Sequence, residues 1–270
     1  MQYLRDLFGR INNRFIKSKL VKTPFFNETT HKSETQWLEP VIVGKGSLRS
    51  KILSSENILE SLEVLKKIPS DDYSKFLIGY YEKGIAKLDL DWQYADIITV
   101  LNAISRNFKL DSYLEIGVRN GRSLLTVSNN LPNCHIVGFD LWIEDYAGME
   151  NPGKDYVLDR LKEFNHQGKV EFIDGDSKNT VPKFFNDNPE LFFDLITVDG
   201  DHRIKGAKTD IRNVIKRLKI GGFLVFDDIV SPHHPYLKKL WKKEISDNPQ
   251  FSSFEFEDVG LGIGVAIRRH

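Results

Sequence analysis

The stretch Tyr113-Leu-Glu-Ile-Gly-Val-Arg-Asn-Gly-Arg-Ser-Leu-Leu125 decides how the chain is read. Tyr113 to Ile116 is a short apolar run that predicts a strand. Gly117 to Gly121 predicts a tight turn, and a helix is expected to open near Arg122. Gly117 and Gly121 stand four apart and carry no Cβ, so backbone can approach a ligand there. Glu115 stands at the strand's end. A carboxylate in that position repels phosphate, and neither the dinucleotide spacing G-x-G-x-x-G nor a P-loop lysine is present. A ligand that carries positive charge suits the turn better.

From this stretch onward the chain alternates strand and helix signals, which predicts a parallel α/β sheet. His135 to Phe139 reads as a strand ending at Asp140, and Val170 to Ile173 as another, followed by Asp174-Gly-Asp-Ser177. Phe192 to Val198 is nearly all apolar, as a central strand should be, and ends in Asp199-Gly-Asp-His202. Lys219 to Gly222 reads as a turn into a fifth strand, Phe223 to Phe226, which ends in Asp227-Asp228. Helices are expected over Tyr156 to Phe164, Ala207 to Leu218 and Pro235 to Ile245. The tail, Phe251 to Asp258 and Gly262 to Arg268, reads as a hairpin around Gly260. In an open α/β sheet ligands bind beyond the carboxyl ends of the strands. Five successive strands thus bring an acid to one edge.

Each acid has a chemical use there. Asp140 comes after the glycine turn at roughly the twenty-residue distance that lets an acid accept both hydroxyls of a ribose; capping a turn is its plain alternative. Clustered carboxylates need neutralising. Asp199, Asp227 and Asp228 are hard oxygen ligands that suit Mg²⁺, and a substrate with neighbouring hydroxyls could displace its waters. His202, with an ordinary pKa near 6.5, could take a proton from such a hydroxyl. Asp201 could do the same, or orient His202. One of His233-His234 could line the substrate pocket, and Trp142 could stack on a base or sit half-buried in the core.

The pattern E-x-G-x-x-x-G over Glu115 to Gly121 resembles the first motif of class I S-adenosylmethionine (SAM) dependent methyltransferases, and the likeness runs over about residues 95 to 268. It implies a Rossmann-like sheet, mostly parallel with an antiparallel C-terminal strand. SAM would be held by Glu115, Gly117, Gly121 and Asp140, with Asp176 and Ser177 facing the adenine. The strand-end acids resemble those of two metal-dependent branches, the catechol type and the sugar O-methyltransferases. Asp199 matches the first metal aspartate of both. Asp227-Asp228 and Asp199-Gly-Asp201 match the sugar type, in which the second Asp of the triplet is the proposed base. The lysine of the catechol type is His202 here. The resemblance implies an Mg²⁺-assisted O-methyltransferase acting on a hydroxyl of a small molecule or sugar, with Asp201 or His202 as base. A reading from another class is a non-catalytic SAM-fold module that supports a partner protein.

Residues 1–90 read as a helical extension and 91–270 as the SAM-binding domain. Leu4, Leu7, Phe8, Ile11 and Phe15 recur at helical spacing in a basic segment, 1–22, suited to packing on its own domain or to peripheral contact with an anionic membrane. Residues 23–50 read as loop with one short strand, Val41 to Val43. Helices are expected over 56–68, Phe76 to Lys87 and Trp92 to Phe108. Phe76, Tyr80 and Tyr81 are read as core or oligomer contacts rather than a substrate platform, and a homo-oligomer is expected. No apolar run approaches the roughly 20 residues of a membrane span. One cysteine, Cys134, and the lack of a signal-peptide core suggest a cytoplasmic home. Net charge is zero, which argues against nucleic acid as a partner.

Overall fold

The computed structural model describes residues 41–69, 71–144 and 151–270; the amphipathic segment 1–22 lies outside them. Seven strands form one sheet: β1 (Ser112–Ile116), β2 (His135–Asp140), β3 (Val170–Asp174), β4 (Phe193–Val198), β5 (Leu218–Asp227), β6 (Phe251–Phe256) and β7 (Ile263–Arg268). Their order is β3-β2-β1-β4-β5-β7-β6. The first five run parallel, and β7 lies antiparallel between β5 and β6. The expected class I methyltransferase architecture, with its reversed strand pair at the C-terminus, is the one observed.

Side chains alternate across a strand, and here both faces are buried. Leu114, Val137, Ile196 and Leu224 pack on one face with Ala207, Ile211 and Trp241. Tyr113, Ile136, Leu195 and Val225 pack on the other with Val100, Ile104 and Leu124. Helices therefore cover both sides, as a parallel sheet requires. The strand register aligns the ends of the parallel strands. Ile116 pairs with Phe139 and with Val198, and Val198 pairs with Phe226. The next residues, Gly117, Asp140, Asp199 and Asp227, stand at one level of this edge.

Nine α-helices are described: α1 (Lys45–Ile52), α2 (Ser55–Lys67), α3 (Asp72–Leu88), α4 (Ile97–Asn107), α5 (Arg122–Asn130), α6 (Gly153–Glu163), α7 (Ser177–Asp187), α8 (Ile204–Val214) and α9 (Leu237–Trp241). The strand expected at Val41 to Val43 does not form, and Lys45–Ile52 is helix rather than loop. Leu48 and Ile52, one turn apart, are fully buried in the main core, which outweighs the glycines at 44 and 46. The helix expected from Trp92 starts instead at Ile97. Asp96 and Thr99 form a reciprocal capping box there, each side chain accepting the other's backbone N–H at 2.9 Å. The turn expected at Lys219 to Gly222 lies inside β5, where the register with β4 slips between Phe193 and Leu195.

The described part of the N-terminal helices shares its core with the sheet. Leu48, Ile52 and Val64 belong to one cluster with Tyr113 and Val225. Ile58, Leu77, Tyr81, Trp92 and Ile98 form a second cluster joining α2, α3 and α4. No helix among the described residues is long and apolar enough to cross a membrane.

Candidate active site at the strand ends

A cavity of about 970 Å³ opens at the carboxyl edge of the parallel strands. Gly117, Asp140, Asp176, Ser177, Asp199, Asp201, His202, Asp227 and Asp228 all line it; Glu115 and Gly121 do not. The sequence-predicted residues are thus brought together, with two lying behind the wall.

Gly117 has φ +93° and donates its N–H to the carbonyl of Phe139 at 2.9 Å. A Cβ there would lie 2.0 Å from the carbonyl oxygen of Asp199. At Gly121, φ +76°, it would lie 2.7 Å from a methyl of Val157. The two glycines let the turn pack against β4 and α6. Gly121 thus clears space for the protein's own core, while Gly117 meets the backbone of Asp199 and also lines the cavity.

Glu115 is fully buried beneath the turn. Its Oε1 accepts from the Ser123 hydroxyl, and its Oε2 has no partner among the described residues. Burial drives its pKa up to about 8, against the opposing hydrogen bond from Ser123. Asp140 organises the next loop. Its two oxygens accept the N–H of Arg119 at 2.8 Å and of Trp142 at 2.5 Å, both residues in the left-handed region. Trp142 does not line the cavity. Its indole N–H donates to Asp174 at 3.0 Å and its ring stands edge-on to Phe172, so it takes the structural role. Leu141 and Ile143 on either side line the cavity instead.

Asp176 caps α7, accepting the N–H of Lys178 at 3.0 Å. Ser177 donates its hydroxyl to Asp210 at 2.7 Å. Asp210, which sequence reasoning passed over, is fully buried, and burial pushes its pKa up to about 6. The available signal was an acid on the apolar stripe of α8, beside Ala207 and Ile211.

His202 occupies the centre of the acidic edge. Its Nε2 lies 3.2 Å from Asp199 Oδ1 and its Nδ1 3.4 Å from Asp228 Oδ2. Burial favours the neutral ring, but Asp199 and Asp228 together outweigh it and raise the pKa above 6.5. Burial lifts Asp228 to about 6 against the opposing charge of His202, and it lifts Asp227 well above the carboxylate range. Asp201 is committed elsewhere. Arg203 grips both its oxygens at 2.8 Å and holds its pKa low. His234 lines the cavity, with its ring 5.4 Å from that of His202 and its Nδ1 3.0 Å from the Tyr236 hydroxyl; His233 does not line it.

This donor set does not fit Mg²⁺ as arranged. Among the described residues no group of three or more His, Cys, Asp or Glu side chains converges on a point that a metal ion could take. The imidazole of His202 bridges Asp199 and Asp228, and Asp227 turns an oxygen to the N–H of Asp228 at 2.9 Å.

Aromatic side chains line the same cavity. Tyr73, Phe76 and Tyr80 stack along α3 with ring centroids 6.2 and 6.3 Å apart, and Tyr94 joins them. Phe76 is 63% exposed. Of the three aromatics read as core or oligomer contacts, only Tyr81 is core; Phe76 and Tyr80 face the cavity.

Residues 114–229 match the family model described as a methyltransferase domain. Residues 114–229 are thus similar to a methyltransferase domain. The strand order and the turn after β1 agree with that match. The O-methyltransferase TomG from Streptomyces achromogenes, involved in tomaymycin synthesis and solved with SAM, is similar at a TM-score of 0.53. It is 18% identical, with 75% of this chain and 92% of that one covered. The O-methyltransferase from Bacillus cereus, solved with S-adenosylhomocysteine, is similar at a TM-score of 0.50 and 16% identity over 80% and 92% of the chains. An uncharacterized protein of Acanthamoeba polyphaga mimivirus is 27% identical over 168 residues, 60% of this chain and 73% of that protein. The two structural likenesses concern the methyltransferase fold.

Proposed function

We propose that this methyltransferase domain moves a methyl group from SAM to a hydroxyl oxygen of a small molecule, a sugar included, that presents an apolar face. The observation that carries the reading is the position of His202, which stands between two aspartates in a cavity that aromatic side chains also line. SAM, when bound, supplies a methyl group on a sulfonium, and the sulfur keeps the electron pair of the broken bond. The wall of the site is rich in carboxylates, which supports a ligand of that charge. Asp140 would take the ribose, and Asp176 and Ser177 would border the adenine.

Two contacts support His202 as the base. With Asp199 accepting Nε2–H of His202 at 3.2 Å, the neutral ring would carry its lone pair on Nδ1. Nδ1 then takes the proton of the acceptor hydroxyl, and Asp228 beside it stabilises the imidazolium. Asp201 is the poorer base, since Arg203 holds both its oxygens. Tyr73, Phe76 and Tyr80 bear on the acceptor's apolar face. No step runs through Mg²⁺, because the donors that would hold it do not converge.

The test uses SAM labelled in its methyl group with phenols, alkyl glycosides and free sugars as acceptors. Label should appear as a methyl ether, most readily on the acceptors with an apolar body. Label left on SAM with no ether formed on any acceptor class, while the protein still binds S-adenosylhomocysteine, would favour the non-catalytic module.

A further inference from the structure

The glycine turn carries an unspent cation. Three arginines line the cavity among the described residues: Arg119, Arg122 and Arg203. Arg203 is spent on Asp201. Arg122 is spent on α3, with its guanidinium over the Tyr73 ring at 4.6 Å, 3.3 Å from the Ser74 hydroxyl and 3.7 Å from Asp71. Arg119 differs. Its Nε and Nη2 are buried and have no hydrogen-bond partner among the described residues.

Buried donors of a charged group left unmade are costly, and native structures rarely tolerate them without a use. The backbone points the same way. Arg119 sits at φ +50°, a region a long side chain adopts only when its surroundings impose it. What imposes it is the hydrogen bond from Arg119 N–H to Asp140, the acid placed for the ribose. The turn therefore fixes Arg119 beside Asp140, at the wall of the cavity.

We infer that Arg119 binds the carboxylate of the methionine part of SAM, and so sets the preference of the site for the zwitterionic cofactor. The inference rests on the reading of this cavity as the SAM site. Seven aspartates line the same cavity. They favour the sulfonium and the amine, and they would repel the carboxylate unless one cation answered it. A guanidinium presenting two parallel donors matches a carboxylate's two oxygens.

Calorimetric titration of three ligands without acceptor tests this. The ligands are S-adenosylhomocysteine, its decarboxylated analogue, which keeps the amine, and methylthioadenosine, which lacks both groups. Wild type should bind S-adenosylhomocysteine about 10- to 100-fold more tightly than the decarboxylated analogue. Arg119→Met should bring that ratio close to one while its affinity for methylthioadenosine stays within about twofold, and Arg119→Lys should restore part of it. If wild type binds the two ligands equally, the inference is overturned without any variant. An unchanged ratio in Arg119→Met also overturns it. If wild type binds none of the three, the SAM-site reading itself falls.

Discussion

The imidazole Nε2 of His202 lies 3.2 Å from Oδ1 of Asp199, at the end of the most central strand of the sheet. Asp199 leaves β4 one residue past Val198, and the short turn Gly200-Asp201 brings His202 back onto it. Three sequence positions thus build an acid–base pair with no long-range adjustment, and the parallel register adds Asp228 on its far side.

His202→Gln should lower kcat by about 10²- to 10⁴-fold, the usual worth of a positioned base. Affinity for S-adenosylhomocysteine should stay within about twofold. Asp201→Asn should cost far less, because Arg203 already neutralises that carboxylate. The pH profile carries the sign. A base must be unprotonated, and the pKa of His202 is raised above 6.5 by Asp199 and Asp228 against burial. The rate should therefore fall as pH drops through a pKa above 6.5, and Asp199→Asn should move that limb to lower pH. An acid limb that ignores Asp199→Asn rules out the pair.

A divalent ion should be dispensable. Turnover should survive EDTA, and the purified protein should carry substoichiometric metal by elemental analysis. Removing the imidazole opens the space between Asp199 and Asp228. His202→Ala should consequently bind Mn²⁺ more tightly than wild type does in a calorimetric titration. Stoichiometric metal in wild type, with activity lost on chelation and restored by Mg²⁺, would reverse this assignment.

Most of this edge was legible in the sequence because parallel strands obey a simple rule. Each apolar run ended in an acid or a glycine, and right-handed crossovers put all five ends together. What could not be read was how the side chains share one another. Asp199, Asp227 and Asp228 look like a metal set on a one-dimensional string; only the turn at Gly200 shows His202 folded between two of them. The close approaches at Gly117 and Gly121 could not be read either, since the atoms they meet, in Asp199 and Val157, are distant in sequence. The helix at Lys45–Ile52 was hidden by two glycines, and its burying partners lie far along the chain. Phe76 and Tyr80 sit at helical spacing, which cannot tell a cavity from a core.

Glu115 supplies a stability test independent of turnover. Its pKa is about 8 in the folded chain and near 4.5 when exposed, with burial as the main cause. The folded state thus keeps a proton that the unfolded chain releases between those values. Stability falls as pH rises from about 4.5 through about 8 and levels off above. Glu115→Gln keeps the acceptor for Ser123 and cannot ionise. Its advantage over wild type should grow across that window to on the order of 2–4 kcal/mol, seen as a rising difference in Tm without ligand. A pH-independent difference would mean that the carboxyl is charged when folded.

The aromatic wall makes the last prediction. Phe76 is exposed, lines the cavity and stacks between Tyr73 and Tyr80, so removing its ring should cost the fold little. Phe76→Ala should raise KM for an acceptor with an apolar body about 5- to 50-fold, the worth of one lost stacking contact plus the apolar area it buries. KM for SAM should stay within about twofold, because the residues proposed to hold SAM, Asp140, Asp176 and Ser177, belong to other elements of the wall. An acceptor without an apolar face should lose little. If Phe76→Ala instead raises KM for SAM and leaves the acceptor's unchanged, the two halves of the cavity have been assigned the wrong way round.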